Sequence, residues 1–116
     1  MSSIDPSAID ALRELNPEDD SFLRDLIQIY LDDAPKRIAE IEQSLADKDA
    51  RRLTMAAHSL KGSSSNFGAA DLRAVSERIE RLGRDGHLSE VPAQMPALKV
   101  EFARVKEALE ALVPTS

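Results

Sequence analysis

Along most of the chain, apolar residues recur at alternating steps of three and four, the spacing that gathers them on one helix face. The longest run is Leu23, Ile27, Leu31, Ala34, Ile38, Ile41 and Leu45. It predicts a helix opened by Pro17, Glu18 and Asp19, with negative charge at its positive dipole end, and reaching about Ala46. Pro35 lies inside the run without shifting its phase, so a kink is expected there and not a break. Upstream, Asp5 and Pro6 suit an N-cap and a first helical position, giving a short helix to about Leu15. Asp47-Lys48-Asp49 reads as a turn into a third helix that ends near Asn66 or Phe67, with Gly68 at a C-terminal position. Asp71 is expected to cap a fourth helix with the stripe Leu72, Val75, Ile79 and Leu82, after which Gly83-Arg84-Asp85-Gly86 reads as a turn. A fifth helix carries Met95, Leu98, Phe102, Val105, Leu109 and Leu112, and Pro114 ends it, leaving a short tail expected to fray.

Four amphipathic helices joined by short loops pack as antiparallel neighbours. The expected fold is therefore all-α, an up-and-down antiparallel four-helix bundle with a short additional N-terminal helix closing one end. Residues 1–116 amount to one domain, with no repeat or linker inside them. The chain has no cysteine, so neither disulfides nor thiolate metal sites can hold it together. A net charge of -6 with no basic run argues against nucleic acid or an anionic membrane as partner. The first residues lack the pattern of a secretory signal, and no apolar run approaches a bilayer span. A cytoplasmic location is expected.

The segment that could carry chemistry is Met55 to Ala69. At about 100° per residue, Leu53, Ala56, Ala57, Leu60, Ser64 and Phe67 share the inner face, and His58 lies roughly 140° from its centre. His58 is thus expected to face water. Thr54 and Met55 precede it by one turn, Lys61 and Gly62 follow by one turn, and Arg51 and Ser65 extend the same outer face. Gly62 is unusual, since glycine inside a helix costs about 0.5–1 kcal/mol relative to alanine. At i+4 from His58, any side chain is expected to crowd the imidazole, and its absence lets another protein come close. Neutral imidazole offers a nucleophilic nitrogen at neutral pH, and Lys61 could offset the negative charge of a transferring phosphoryl group. Hydroxyls of Ser59, Ser63 or Ser65 could hold a ring nitrogen or a phosphate oxygen. Ser64 points inward, as a small packing residue with its hydroxyl expected to bond back to the helix.

The run His58-Ser-Leu-Lys61-Gly62-Ser63-Ser64, followed by Phe67-Gly68-Ala69, resembles the signature of the histidine phosphotransfer (HPt) family. The resemblance extends over nearly the whole chain. It implies a four-helix bundle with His58 as phosphoacceptor and Lys61 and Gly62 as helpers. It also implies a stoichiometric phosphoryl carrier between response-regulator receiver domains, one of them on a hybrid sensor kinase. The chain would need no cofactor of its own, with Mg²⁺ expected on the partner receiver. Kinase activity is not expected, because no Gly-rich phosphate loop is present. A monomer is the simplest expectation for a carrier that exchanges partners.

Phe22, Leu26 and Ile29 lie roughly 130° around the second helix from its main stripe. The first helix could cover them through Ile9 and Leu12, or part of the patch could stay open near His58 and dock a receiver. Partial covering with a shared docking role is expected, with Arg51, Met55 and Ser65 as further contacts. A lone surface histidine is usually only solvated, but here an i+3 lysine and an i+4 glycine accompany it. His87, beside Gly86, reads as a loop residue, and the helix carboxylates read as solvated faces. The alternative of another class is a non-phosphorylated helical adaptor, which has no need of the His-Lys-Gly trio. Bundle-type metal storage fails because Glu-x-x-His pairs are absent.

Overall fold

The computed structural model describes residues 3–112. Helix α1 (Pro6–Glu14) begins where Asp5 and Pro6 place it, with the Asp5 carboxylate accepting the Ser7 N–H at 2.9 Å. Helix α2 (Ser21–Ala46) starts later than the charge pattern suggests, because Asp19 accepts the Ser21 N–H at 2.9 Å from outside the helix. A short acidic side chain that bonds the backbone two residues on makes a turn in place of a first helical turn. The helix then runs through Pro35 as one element.

Lys48, at φ 55°, turns the chain, and Asp49 caps α3 (Ala50–Ser65) by accepting the Arg52 N–H at 3.1 Å. Gly68, at φ 64°, ends the following turn, and a Cβ there would sit 2.3 Å from Cβ of Asp5. The Asp5 N–H donates to the Phe67 carbonyl at 3.1 Å, so the start of α1 is tied to the end of α3. Helix α4 (Ala70–Arg84) is preceded by Ala69, which makes no side-chain cap. Asp71 is therefore not the cap; it lies in the first turn, where its charge still faces the positive dipole end. Two 3-10 turns, Leu88–Glu90 and Pro92–Gln94, lead into α5 (Met95–Leu112). Pro114 and the tail lie outside the described residues. None of the described helices is long and apolar enough to cross a membrane.

Helix α2 packs on α3, α3 on α4 and α4 on α5. Lys99 of α5 closes the ring of helices with an ion pair to Glu42 of α2 at 2.9 Å, and the Tyr30 and Phe102 rings meet at 6.2 Å. The result is a helical bundle with overall extents of 47 × 24 × 23 Å, its length set largely by the 26-residue α2, about 39 Å long at 1.5 Å per residue. Ile27, Ile41, Leu53, Leu60, Leu72, Ile79, Leu98 and Leu109 fill the centre and are fully buried. On α2 the buried face is turned slightly from the expected stripe, since Tyr30 and Ser44 are buried while Leu31 and Leu45 are half-buried at its edge. Tyr30 and Ser64 share a buried hydrogen bond of 2.9 Å, so the Ser64 hydroxyl reaches across to α2 and does not bond back to its own helix. Burial pushes the Tyr30 hydroxyl up to about 12, against the opposing effect of that bond.

Helices α3 and α4 approach closely around Gly83. A Cβ on Gly83 would come within 2.5 Å of Thr54 Oγ1 and 2.8 Å of Leu53 Cδ2. Gly83 and Arg84, expected in a turn, are the last residues of α4, and only Gly86 (φ 76°) takes the left-handed turn conformation. Here glycine serves packing, because its missing side chain lets two helices come close enough to join their polar groups.

Candidate functional site

His58 projects from the middle of α3 with two-thirds of its side chain exposed (66%). Its Nδ1 lies 2.6 Å from Oε2 of Glu80 on α4, and Glu80 is almost fully buried, at 2% exposure. Lys61, one turn after His58, reaches Oε1 of the same carboxylate at 2.7 Å. Arg84, one turn after Glu80, reaches Oε2 at 3.0 Å while most of its side chain stays in water. One buried carboxylate thus gathers an imidazole, an ammonium and a guanidinium.

The electrostatics fix the proton positions. Burial pushes the Glu80 carboxyl up, but the hydrogen bonds and charges of Lys61 and His58 outweigh it and hold it below its ordinary value of 4.5. Glu80 is therefore an anion at neutral pH and can only accept. Nδ1 of His58 must carry the hydrogen that it shares with Glu80, which leaves the lone pair of the neutral ring on Nε2. The lone pair thus lies on the nitrogen that Glu80 does not engage, in a side chain that is mostly exposed.

A carboxylate with a depressed folded value stabilises the fold above its unfolded value, and this contribution is lost as pH falls through the folded one. Glu80→Gln should accordingly be less stable than the wild type at pH 7. The gap should narrow as pH drops through 4.5 and below, because both proteins then carry an uncharged group at this position. Urea midpoints of the two proteins across that range check it, and a gap independent of pH would contradict it.

The structure brings His58 and Lys61 together as expected and adds two residues that the helical wheel missed. Glu80, a solvated carboxylate by its sequence alone, is buried, and Gly83, one turn after it, leaves room for Thr54 and Leu53 of α3. That glycine was the available signal. The three candidate hydroxyls lie elsewhere. Ser63 donates to the Leu60 carbonyl at 3.2 Å and Ser65 to the Lys61 carbonyl at 2.8 Å. Ser59 lines a cavity of about 250 Å³ with Arg37, Glu40 and Arg52.

Gly62 is exposed, and a Cβ there would meet nothing within 4 Å, so a small side chain would not crowd the imidazole. What remains of the reading is open surface above the helix. Gly62→Ala should stabilise the isolated fold by about 0.5–1 kcal/mol, the ordinary helix preference for alanine. A thermal melt checks this, and a destabilised variant would reveal a contact that the geometry lacks.

Among the docking candidates, Ile9 is buried at 3% exposure and belongs to the core, beside Ile4, Ala108 and Leu112. It cannot present a docking surface, because α1 turns it inward between the bundle helices. Leu12, Phe22 and Leu26 are half-buried, whereas Arg51, Met55 and Ser65 are exposed. Leu26 and the exposed Ile29 line a groove of about 190 Å³ with Tyr30, Ser63 and Phe67. His87 lies exposed in its loop, 3.3 Å from Glu90. Among the described residues, no group of His, Asp or Glu is arranged to hold a metal ion.

The sequence and the fold have counterparts among known proteins. The chain is 35% identical over 100 residues to multistep phosphorelay regulator 1 of Schizosaccharomyces pombe, a match covering 82% of this chain and 34% of that protein. It is 28% identical over 96 residues to phosphorelay intermediate protein rdeA of Dictyostelium discoideum, covering 83% of this chain and 38% of that one. The chain therefore spans about a third of the length of these curated relatives. The crystal structure of histidine-containing phosphotransfer protein B from Pseudomonas aeruginosa PAO1 superposes with a TM-score of 0.86 at 29% identity, covering 94% of this chain and 92% of that one. The family model of the Hpt domain matches residues 25–113. With that match across most of its length, the chain belongs to the Hpt domain family.

Proposed function

We propose that this chain is a phosphoryl carrier in which Nε2 of His58 accepts a phosphoryl group from a receiver-domain aspartate and returns it to another. The observation that carries the reading is the bond between Nδ1 and Glu80 at 2.6 Å, which leaves the lone pair on the nitrogen that Glu80 does not engage. In the forward step the Nε2 lone pair forms an N–P bond, and the donor's P–O bond breaks with its electron pair returning to the aspartate oxygen. No proton has to move. Lys61, already oriented by Glu80, stands one turn away as a cation for the phosphoryl oxygens. Mg²⁺ is expected on the receiver, where it would neutralise the phosphoryl group from the other side.

The partners are proposed to be receiver domains of response regulators and of a hybrid sensor kinase. They would meet the bundle over Gly62, where the helix surface is open, and along the Leu26–Ile29 groove. The carrier is proposed to act as a cytoplasmic monomer without autokinase activity, charged only by a partner. The test is transfer from a labelled phospho-receiver with Mg²⁺ present. Label that is acid-labile, base-stable and located on the peptide containing His58 is expected. Binding of receivers without any transfer of label would favour the adaptor reading.

A further inference from the structure

Glu80 has a consequence beyond orienting the free ring. When Nε2 of a neutral imidazole takes a phosphoryl group, Nδ1 still holds its hydrogen, and the ring becomes a phosphoimidazolium. Its fate depends on that hydrogen. With it in place, cleavage of the P–N bond returns the electron pair to Nε2 and releases a neutral imidazole, a good leaving group. Without it, the leaving group is an imidazolate, and the phosphoryl group stays.

A carboxylate and a carboxamide treat this choice differently. A carboxamide can accept from Nδ1–H or turn and donate to a bare Nδ1, so it accommodates both states. An ionised carboxylate can only accept, and a bare Nδ1 lone pair 2.6 Å from Oε2 would face negative charge. Glu80 is also prevented from taking the hydrogen itself, because Lys61 on Oε1 and Arg84 on Oε2 favour its anionic form. Among the described residues these are the charged groups joined to the ring through ion pairs: Lys61 from α3, Glu80 and Arg84 from α4, and none from α2.

We propose that Glu80 is a positioning residue that keeps Nδ1 of phosphorylated His58 protonated, making the phosphohistidine a short-lived form readily passed on. This rests on His58 being the phosphoacceptor. An anion in direct contact favours the protonated ring, and an effect on lifetime of about tenfold is expected.

The full chain is loaded with phosphoramidate, a small donor that requires no partner, and the donor is removed. Loss of label is followed between about pH 5 and 9, a range that brackets imidazole titration, for wild type, Glu80→Gln, Glu80→Asp and His58→Gln. In loading, Nε2 of His58 forms the N–P bond while the P–N bond of phosphoramidate breaks and ammonia leaves. In decay, a water oxygen attacks phosphorus, its proton goes to solvent, the P–N bond returns its electron pair to Nε2, and inorganic phosphate leaves. The expected result is a Glu80→Gln phosphoprotein that decays about tenfold more slowly near neutral pH, with its pH profile displaced toward acid. Glu80→Asp, which keeps an acceptor-only group, should stay closer to the wild type. The ¹⁵N signal of Nδ1 in the phosphorylated wild type gives a second readout that needs no variant, and it should remain that of a protonated nitrogen at neutral pH. Label on His58 with superimposable pH profiles, or a bare Nδ1 in the wild type, would overturn the inference and leave the carrier reading standing. Equal labelling of wild type and His58→Gln would overturn both.

Discussion

His58→Gln is expected to take up no phosphoryl label from a phosphorylated receiver, a loss of at least about a thousandfold, as when a nucleophile is removed from a site that otherwise stays intact. Its effect on stability should be small. The side chain is 66% exposed, and Glu80 keeps its partners Lys61 and Arg84 when the imidazole is gone. Loss of the bond to the buried Glu80 should cost about 0.5–1.5 kcal/mol, the ordinary worth of one hydrogen bond. The informative result is therefore the pair of measurements, with transfer abolished and the melting temperature only modestly lowered. Glutamine cannot form the N–P bond, whereas it is polar and flexible enough to occupy an exposed helical position. Persistent label in the variant would move the acceptor elsewhere, and His87, also exposed, would be the next residue to replace.

Gly83→Val should have the largest effect on stability among substitutions near the site, destabilising the fold by about 3 kcal/mol, at the upper end of ordinary overpacking. The first added atom would sit 2.5 Å from Thr54 Oγ1 and 2.8 Å from the fully buried Leu53, so α3 and α4 must separate or Leu53 must leave its rotamer. For a domain of this size that corresponds to a fall in melting temperature of about 10–20 °C. Separation of the helices also pulls Glu80 away from His58 and Lys61, so the Nδ1 bond should weaken with the fold. A thermal melt reads the first effect and the ¹⁵N signal of Nδ1 the second. A variant that melts with the wild type would mean that α3 and α4 have slack the structure does not show.

The bundle was legible in the sequence because each helix carries its own apolar stripe, and the outward position of His58 followed from the same periodicity. Local pattern is ambiguous where a short side chain or a glycine has more than one use. Asp19 and Asp71 could each have opened a helix, but Asp19 makes a turn outside α2, and Asp71 sits inside α4. Gly83 beside Gly86 looked like part of a turn, yet only Gly86 adopts the left-handed backbone, and Gly83 serves the contact with α3. Ile9 looked available on a short helix and is instead core, because α1 is held by Asp5 against the end of α3.

By itself the sequence determined the all-helical bundle, the exposed His58 and the nearby Lys61, since helical periodicity and one-turn spacing are properties of local covalent geometry. Only the tertiary structure decided that Glu80, 22 residues from His58, is a buried anion joined to the imidazole, to Lys61 and to Arg84. A carboxylate on a helix is indistinguishable in sequence from a solvated one until a second helix comes close enough to exclude water. That approach depends on Gly83 meeting Leu53 and Thr54 of α3, a non-local match that no stripe records. The same match settles which ring nitrogen holds the hydrogen, because the anion that accepts it comes from the neighbouring helix.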